Sequence, residues 1–582
     1  MKIKLFYQFA LLVFLCVPAL TQWNSNTAVN TRVCDTTGEQ SVTKLALCPD
    51  GSTYYSWFDN RGGSYAVYIQ RLDVNGVRMF PPAAILVSNN PQNSSLVDWE
   101  MIADNNNNAI VTFTDIRSGG TINPFAYMIS PAGTQMWGAN GVTLSDSINA
   151  FQPNPKVAQT SDGNYVFFWR VGSGPQKLAF QKLNGAGVKQ WGPSPIYWTS
   201  GTAENYDWPA IVPSDNGSVI VMFSGYTGSF ISPSNYKIYS QKVSAAGTRV
   251  WNGTQDTVYS LGRVSGFYTP RLFSDGNSGA IYVWHDDRNA INRTTGFVQR
   301  KNSAGAIQFP VNGSAVSGNT ANNHFSPIAG YMPATGETYV AWQESNGGQT
   351  QWGFYAQRFS PTGTPLWTTD GLAIQALGTD QPTGYTVMTR DTNVIICFSQ
   401  SGPGGSNLIK AAKLGKSGGY LWSGNIIVPG SLVSPKLRLN SVINSSGMSI
   451  LSWQDNRQDG GGVYAQNINF DGSFGPFTGV VNINTNTPER FELSQNYPNP
   501  FNPVTKIRYG IITRSNVNIS VFDVLGNEVS EVINGVQNAG TYEAGFDASI
   551  LASGVYFYRI NANSLDNKDQ FFTSTRKMIL VK

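Results

Sequence analysis

Short apolar runs that end in an aromatic residue return along most of the chain at a nearly constant spacing. Neighbouring runs stand 54 to 61 residues apart, and a turn rich in Asp, Asn, Ser or Gly precedes many of them. Such a regular spacing indicates internal repeats. The eight aromatic residues, called anchors below, are Trp57, Phe113, Trp169, Phe223, Trp284, Trp342, Phe398 and Trp453.

Each repeat contains further strand patterns after its anchor. One strand often has the order aromatic-x-Gln-basic, as at 68–71, and a tight turn with Gly, a second aromatic residue and a short last strand follow, as at 137–144. Three or four short strands per repeat are typical of a β-propeller blade. The pattern predicts an all-β propeller of about eight blades over 22–483, with seven blades as the alternative. A stacked β-solenoid is a second alternative, although its repeats are usually shorter.

The first residues of this region predict how the ring closes. Residues 23–29 resemble the last strand of a repeat, 137–142, but no blade precedes them. We therefore expect them to complete the final blade by pairing with strands from 463–480. The last strand of the repeats themselves, near 474–480, is the alternative closing strand.

A different pattern begins after residue 483. A polar linker at 484–490 precedes about seven short alternating strands in 491–582, which predict a small immunoglobulin-like β-sandwich. One unbroken string stands near its start: Asn496, Tyr497, Pro498, Asn499, Pro500, Phe501, Asn502 and Pro503. Further positions of note are Gly526, Gly554, Lys577 and Lys582.

These residues closely resemble the type A sorting domain of the bacterial type IX secretion system, over 491–582. The chain departs from that family at 510–513, where a Leu-Pro turn is common. The resemblance implies export to the periplasm, recognition by the type IX secretion translocon as a partner, and cleavage or attachment at the outer surface. An immunoglobulin-like spacer without a sorting role is the alternative.

The N-terminus has the order of a secretory signal peptide. Lys2 and Lys4 precede an apolar run at 9–17, and small residues at Ala19 and Thr21 predict cleavage after Thr21. The run is shorter than the roughly 20 apolar residues that a membrane span needs. We therefore expect a signal peptide at 1–21, no transmembrane span after its removal, and a secreted or outer-surface protein.

Composition narrows the partners. Charged residues make up 13% of the chain and the net charge is +4, which gives no reason to expect nucleic acid or an anionic membrane as a partner.

Cys34 and Cys48 could pair in an oxidising compartment, whereas Cys397 lies in an apolar run and is expected to be a buried thiol.

The sharpest motif in the repeats is Trp-x-Asp-x-Arg, directly after the anchor strand. Its Asp can accept backbone N–H groups in a hairpin turn and its Arg can pair with that Asp. Because the motif repeats with the fold, we interpret it as structural; a polar binding ring on one rim is the alternative. Its residues are Asp59, Arg61, Asp286, Arg288, Asp455 and Arg457, and a variant with Phe113 in place of the Trp has Asp115 and Arg117.

Catalytic chemistry is not indicated by any single repeat. His285 and His324 are the only histidines and stand in different repeats, so neither a metal site nor a cofactor is predicted, and His324 is expected in a solvated loop. The sequence favours a surface binding protein for a glycan or protein over an enzyme. The alternative is a hydrolase of polysaccharide or glycoconjugate, which would place two carboxylates within about 10 Å at the channel mouth.

Overall fold

A computed structural model of the protein describes residues 23–581, except for 91–97, 118, 120, 148, 230–231, 252, 254–255, 262–263, 265–268, 291–292, 403–406, 458–459, 477–479, 485–486, 549–550 and 568–569. The predicted signal peptide at 1–21 and Lys582 lie outside the described residues. The described chain forms two compact units, Trp23–Val481 and a second unit that begins at Asn482. Every regular element in the described part is a β-strand.

The first unit consists of four-stranded antiparallel sheets, which follow one another along the chain. The strands of blades 1 to 4 are β2 (Gln40–Leu47), β3 (Thr53–Asp59), β4 (Ala66–Leu72), β5 (Ile85–Ser88); β6 (Glu100–Ala103), β7 (Ala109–Asp115), β8 (Asn123–Ile129), β9 (Val142–Thr143); β10 (Lys156–Gln159), β11 (Tyr165–Val171), β12 (Lys177–Leu183), β13 (Ile196–Trp198); and β14 (Asn205–Pro213), β15 (Val219–Gly228), β16 (Pro233–Val243), β17 (Asp256–Tyr259).

Blades 5 to 7 repeat this order, and blade 8 takes its fourth strand from the beginning of the chain. Their strands are β18 (Arg271–Ser274), β19 (Ala280–Ala290), β20 (Arg293–Lys301), β21 (Ser314–Ala315); β22 (Asn323–Met332), β23 (Glu337–Ser345), β24 (Trp352–Phe359), β25 (Leu372–Gly378); β26 (Gln381–Arg390), β27 (Asn393–Ser401), β28 (Asn407–Leu414), β29 (Ile426–Ser434); and β30 (Lys436–Ile443), β31 (Ser449–Asp455), β32 (Gly462–Ile468), β1 (Thr31–Arg32).

The first strands of the blades form a closed ring. Each of β2, β6, β10, β14, β18, β22, β26 and β30 contacts the first strand of the next blade, and β30 contacts β2 again. The eight sheets that the described residues of the first unit form are therefore the blades of a propeller. The predicted all-β propeller is confirmed.

The repeated aromatic anchors lie in the second strand of each blade, and all eight are buried. Their surroundings join neighbouring blades. Trp57 of blade 1 shares a core cluster with Ile450 and Val463 of blade 8, and Trp284 of blade 5 packs with Met222 of blade 4. Because each sheet covers a face of the next, large side chains fill the space between blades, which explains the periodic anchors.

The N-terminal segment closes the ring. In β1, Thr31 pairs with Ala465 and Arg32 with Tyr464 of β32. The predicted closure is confirmed, although the paired residues follow the predicted segment 23–29 rather than fall within it. Residues 477–479 of the alternative closing strand lie outside the described residues, and β33 (Val480–Asn484), which follows them, belongs to a sheet of the second unit.

Trp23 shows why residues 23–29 resemble the end of a repeat. Its Nε1 donates to the carbonyl of Val74, 2.9 Å away, in the tight turn of blade 1. A β-carbon on Gly76 of that turn would lie 2.6 Å from the indole, so only glycine fits there. Trp137 packs in the same way on Gly187 of the next blade. Trp23 therefore makes the contact between blades 8 and 1 that the second aromatic residue makes elsewhere.

The second unit is a two-sheet β-sandwich, as predicted. One sheet has the order β33-β38-β35-β34 and the other β37-β36-β39-β40. Its buried core includes Ile507, Val517, Ile519, Ala544 and Ile560. The remaining strands are β34 (Glu492–Leu493), β35 (Val504–Ile511), β36 (Ser515–Phe522), β37 (Glu528–Gln537), β38 (Gly540–Asp547), β39 (Gly554–Ser564) and β40 (Phe571–Leu580).

The described cysteines are free thiols. Cys34, Cys48 and Cys397 are all buried. The pairing considered for Cys34 and Cys48 is not formed, because their side chains belong to different core clusters. Cys397 is the buried thiol that its apolar run predicts, and burial raises its pKa to about 12.

Candidate functional site

The propeller channel contains a cavity of about 470 Å³. Its walls come from the first strands of seven blades, or from residues beside them. Such a volume lies within the range of roughly 300–1,000 Å³ that small-molecule sites occupy. Its ionisable lining residues are Lys44, Asp98, Glu100, Lys156, Arg271 and Arg438.

Asp98 stands at the centre of an ion-pair network. Lys44 Nζ lies 2.8 Å from its Oδ1, and Lys156 Nζ contacts Oδ2. Lys156 Nζ also lies 3.7 Å from Oε2 of Glu100. Asp98 faces the cavity but is surrounded by protein; this desolvation raises its pKa, and the two ammonium groups outweigh it, so the pKa falls far below its ordinary range. Asp98 therefore stays ionised and holds both lysines.

Arg271 and Arg438 differ from the two lysines. Both are exposed to the cavity. Within the described part of the chain, no carboxylate forms an ion pair with either guanidinium, whereas the two lysines share the two acids. The cavity therefore has an excess of positive charge that comes from its two arginines.

The backbone positions several cavity residues through a recurring irregularity of the first strands. Trp208, with a φ of 53°, and Arg438, with a φ of 55°, adopt the left-handed conformation at bulges in β14 and β30. Asn154, just before β10, has a φ of 58°. The same conformation recurs at Val42 in β2 and Ser326 in β22. Since several blades share it, it is a feature of the fold, and the residue type at that position sets the local chemistry.

Asp207 supports the bulge that carries Trp208. Its Oδ1 accepts from the backbone N–H of Trp208 at 2.7 Å, and its Oδ2 lies 3.1 Å from the Arg170 guanidinium. Burial raises the pKa of Asp207, although Arg170 opposes this shift. Asp207 is itself buried. It is therefore placed to hold the backbone beside the cavity rather than to face a ligand.

The Trp-x-Asp-x-Arg turns have one geometry. Asp59 is buried; it accepts from Trp57 Nε1 at 2.9 Å, from the backbone N–H of Arg61 at 3.0 Å, and from the Arg61 guanidinium at 2.5 Å. Arg61 also donates to the carbonyl of Ala83 and stacks on the ring of Tyr68. Both carboxylate oxygens are thus engaged within the blade.

The other three turns repeat the Asp–Arg contacts, although Phe113 of blade 2 has no indole N–H to donate. Each arginine pairs with its aspartate and donates to a carbonyl close to the fourth strand of its blade: Arg117 to Asn140, Arg288 to Asn312, and Arg457 to Ala28. In blade 8 this acceptor belongs to the N-terminal segment, so Arg457 also ties the ring closed. None of the four Asp–Arg pairs is among the described residues that line the channel cavity.

His324 lies in β22 and is buried, so the expectation of a solvated loop is wrong. The polar run before it is typical of a loop, but the strand begins at Asn323. His285 is also buried, and its Nδ1 accepts from the backbone N–H of Ser326 at 2.9 Å. Burial lowers the pKa of each histidine to about 4. Among the described residues, no group of three potential metal ligands clusters together.

Sequence reasoning missed the channel residues, although a signal was present. Lys44, Glu100, Lys156 and Arg271 each stand 13 residues before an anchor. Each pairs with the residue that precedes that anchor, which places all four at one register of the blade. Charged residues at one repeat position inside otherwise apolar strands mark a channel-facing site. The signal is visible only after the repeats are aligned on their anchors.

The string at 496–503 joins strands of the sandwich. The backbone N–H of Asn496 donates to Tyr558 Oη at 2.8 Å, and its Nδ2 donates to Thr505 Oγ1 at 2.9 Å. Phe501 is buried, and its N–H donates to the carbonyl of Ile579 in β40 at 2.9 Å. Tyr497, in contrast, is 80% exposed. The string therefore packs inward through Asn496 and Phe501, whereas its other residues are exposed or only partly buried.

The other marked positions lie apart from this string in the chain. Gly526 forms a turn with a φ of 84° before β37, Gly554 begins β39, and Lys577 lies in β40. Lys577 offers its carbonyl to Gln495 Nε2 at 2.7 Å. The structure thus brings Lys577 next to the string.

Comparison with known families decides the nature of this unit. Residues 495–574 match the family described as the secretion system C-terminal sorting domain. The second unit contains a type IX sorting domain. This sorting domain indicates export to the cell surface or secretion, and it implies the type IX secretion system as a partner. In the described part of the chain no helix has the length and apolar character to cross a bilayer.

Other comparisons are distant. No curated protein matches the chain. Solved structures similar to it include an ulvan lyase of polysaccharide lyase family PL25 (9% identity, 66% of this chain, 96% of that one, TM-score 0.41) and polysaccharide lyase Uly1 (9%, 75%, 91%, TM-score 0.38). Another is an α-L-arabinanase of Penicillium chrysogenum (13%, 55%, 93%, TM-score 0.31). At these TM-scores the likenesses carry no argument about activity.

Proposed function

We propose that this chain is an exported binding protein that holds a glycan in the channel cavity of its propeller. The observation that carries the proposal is the cavity itself, in which charged residues and Trp208 from different blades meet. A concave space of about 470 Å³ suits a short glycan segment better than a protein surface. The sorting domain supports a location at the cell surface or outside the cell, where the protein would encounter that glycan.

The charge state of the cavity favours binding over catalysis. A glycoside hydrolase needs one carboxyl group with a raised pKa as general acid and a second carboxylate as base or nucleophile. Lys44 and Lys156 instead hold the pKa of Asp98 far below its ordinary range, outweighing its desolvation. An ion-paired carboxylate that remains ionised cannot donate a proton to a leaving group.

The hydrolase alternative rests on one observation. Asp98 and Glu100 both contact Lys156, so the two carboxylates lie within the limit of roughly 10 Å for the paired acids of a glycosidase. They stand on the same wall of the channel, two residues apart. A hydrolase would therefore use Asp98 and Glu100, and the two functions make different predictions.

One experiment separates these functions. The chain from Trp23 to Lys582 is incubated with a panel of neutral and acidic polysaccharides, while calorimetry measures binding and new reducing ends measure cleavage. We expect saturable binding without turnover. Steady cleavage that Asp98→Asn or Glu100→Gln abolishes would contradict the binding function and support the hydrolase. Trp208→Ala should weaken binding, because the indole is a stacking face in the cavity.

The repeated turns have a separate role in this proposal. We infer that the Asp–Arg pairs of blades 1, 2, 5 and 8 stabilise the blades and do not bind ligand. Their carboxylates are buried and are engaged by the arginine of the same turn. Replacing Arg288 by Met should therefore lower stability while glycan affinity stays unchanged, and a loss of affinity in the folded variant would favour the polar binding ring.

The export half of the proposal has its own test. We propose a signal peptide at 1–21, a propeller at 22–483, a linker at 484–490 and the sorting unit at 491–582. Deletion of 491–582 should leave the propeller folded but retained in the periplasm, since the signal peptide provides passage across the inner membrane alone. Cell fractionation with a protease-accessibility assay measures this. Wild-type amounts of truncated protein at the surface would support a spacer without a sorting role.

A further inference from the structure

Arg271 and Arg438 are the cationic lining residues of the channel cavity that have no acidic partner in the described part of the chain. We propose that they form an anion-binding subsite and that the glycan held in the cavity is acidic, with carboxylate or sulfate groups. This inference rests on the proposed function, because it names the chemistry of the ligand at the same site.

The balance of charge in the cavity is the first argument. Four cationic side chains and two carboxylates line it. Lys44 and Lys156 both contact Asp98, and Lys156 approaches Glu100, so the carboxylates are matched by lysines. The two arginines are left over. A cavity with low-dielectric walls strengthens such an unbalanced charge and attracts anions.

The choice of residue is the second argument. A guanidinium group presents paired N–H donors that fit the two oxygens of a carboxylate or sulfate. In this cavity the lysines form ion pairs with the protein's own carboxylates, whereas the arginines remain available for a ligand. Both arginines are exposed to the cavity, so neither needs to break a buried contact to bind.

The backbone under Arg438 is fixed, which is the third argument. Its carbonyl accepts from Asn440 Nδ2 at 2.7 Å and from Thr43 Oγ1 at 3.4 Å, and Thr43 belongs to blade 1. The backbone of Arg438 is thus hydrogen-bonded across the interface between blades 8 and 1, where the ring closes. Arg271 begins β18 and pairs with Val283 of β19. Preorganised positions reduce the entropy that an anion site loses on binding.

The remaining walls fit a saccharide rather than a bare anion. Trp208 offers an aromatic face on which a sugar ring can stack, and Asn154 and Thr269 offer groups that can hydrogen-bond to hydroxyls. A small inorganic anion would leave most of the 470 Å³ unfilled. The cavity therefore favours a ligand that combines acidic groups with sugar rings.

Calorimetry on the chain from Trp23 to Lys582 tests the inference with three probes. They are trigalacturonate, which has carboxylates, a sulfated carrageenan tetrasaccharide, and neutral galactotriose. We expect at least one acidic probe to bind more tightly than galactotriose, with affinity that falls as salt increases. Arg271→Gln and Arg438→Gln should each weaken acidic binding about tenfold to hundredfold, as the loss of a charge-assisted hydrogen bond implies.

Arg508→Gln is the matched control, because it removes an exposed guanidinium from the sandwich. Circular dichroism confirms that each variant is folded. Galactotriose bound as tightly as the acidic probes would overturn the acidic subsite and leave the glycan function standing. Acidic binding that neither channel variant weakens would overturn the placement of the subsite. Absence of binding by all three probes would contradict both the subsite and the proposed glycan function.

Discussion

The propeller and the sorting domain build their cores in different ways. In the propeller, a buried anchor in the second strand and an aromatic residue on the next blade's glycine turn return from blade to blade. In the sorting domain, each main contact occurs once, as when Phe501 joins β40 through Ile579. The propeller therefore repeats the same packing contacts from blade to blade, apart from those that close the ring. The sorting domain makes each of its main contacts once.

This difference has a mechanical consequence. When the ends of the ring are joined, every blade has both faces covered by a neighbouring blade, so the few residues that join the ends protect all the blades. Trp23, β1 and Arg457 make that junction. We expect damage there to affect the whole propeller, and damage in the sorting domain to remain within that domain.

Removal of residues 23–33 should have the largest effect. Blade 8 would lose its fourth strand. The apolar surfaces of the propeller that Trp23 and Val33 cover would be exposed to solvent. We expect the free energy of unfolding of the propeller to fall by at least about 5 kcal/mol, because a Trp contact and a paired strand are lost together. Urea unfolding followed by tryptophan fluorescence measures it.

Trp23→Phe is the control for that deletion. Phe80 and Phe309 pack on Gly133 and Gly363 in the same way, so a phenyl ring fits this place in the repeat. We expect a loss of no more than about 1 kcal/mol. Equal free energies of unfolding for the chains with and without residues 23–33 would show that ring closure does not stabilise the propeller.

Phe501→Ala should have the next largest effect, limited to the sorting domain. Phe501 is 2% exposed and lies against Phe546, with ring centroids 6.3 Å apart. Truncation of a buried Phe costs about 3–5 kcal/mol. Differential scanning calorimetry should show a lower melting temperature for the sorting domain and an unchanged propeller transition. A shift of both transitions would contradict the separation of the two cores.

Acid should weaken the propeller through its histidines. Burial lowers the pKa of His285 and His324 to about 4 from an ordinary value of 6.5. As the pH falls from about 6.5 to 4, the unfolded chain binds protons that the folded chain does not, so stability is lost across that window, by up to about 3 kcal/mol per histidine. The sorting domain contains no histidine and lacks this contribution.

Urea unfolding at pH 7 and pH 4.5 measures this difference. His324→Gln isolates one histidine, because other groups also titrate in this range. The variant should lose less propeller stability between the two pH values than the unaltered chain. An identical loss would mean that His324 is not the source of the acid sensitivity.

Tyr497→Ala should have the smallest effect on stability. Tyr497 belongs to the same string as Phe501 but is 80% exposed. Exposed positions usually change stability by no more than about 0.5 kcal/mol. Calorimetry should therefore find both transitions unchanged, which sharpens the contrast with Phe501. A large loss would show that the Tyr497 side chain supports the sandwich.

The sequence alone determined the architecture. Constant spacing of the anchors predicted the propeller, since each blade must bury the same face. The likeness of residues 23–29 to 137–142 predicted which end closes the ring. The string at 496–503 identified the sorting domain. These features are local or periodic, so they can be seen along the chain without knowledge of distant contacts.

Tertiary structure decided the site. Lys44, Asp98 and Lys156 come from three blades and meet because the first strands converge on one channel. The polar residues before His324 predict a solvated loop, but His324 is buried because its burial depends on the neighbouring blades. The fold also places the aspartates that pair with an arginine, such as Asp59, away from the cavity. Contacts between residues of distant repeats are made by the packing of the blades, so their chemistry appears only in the folded chain.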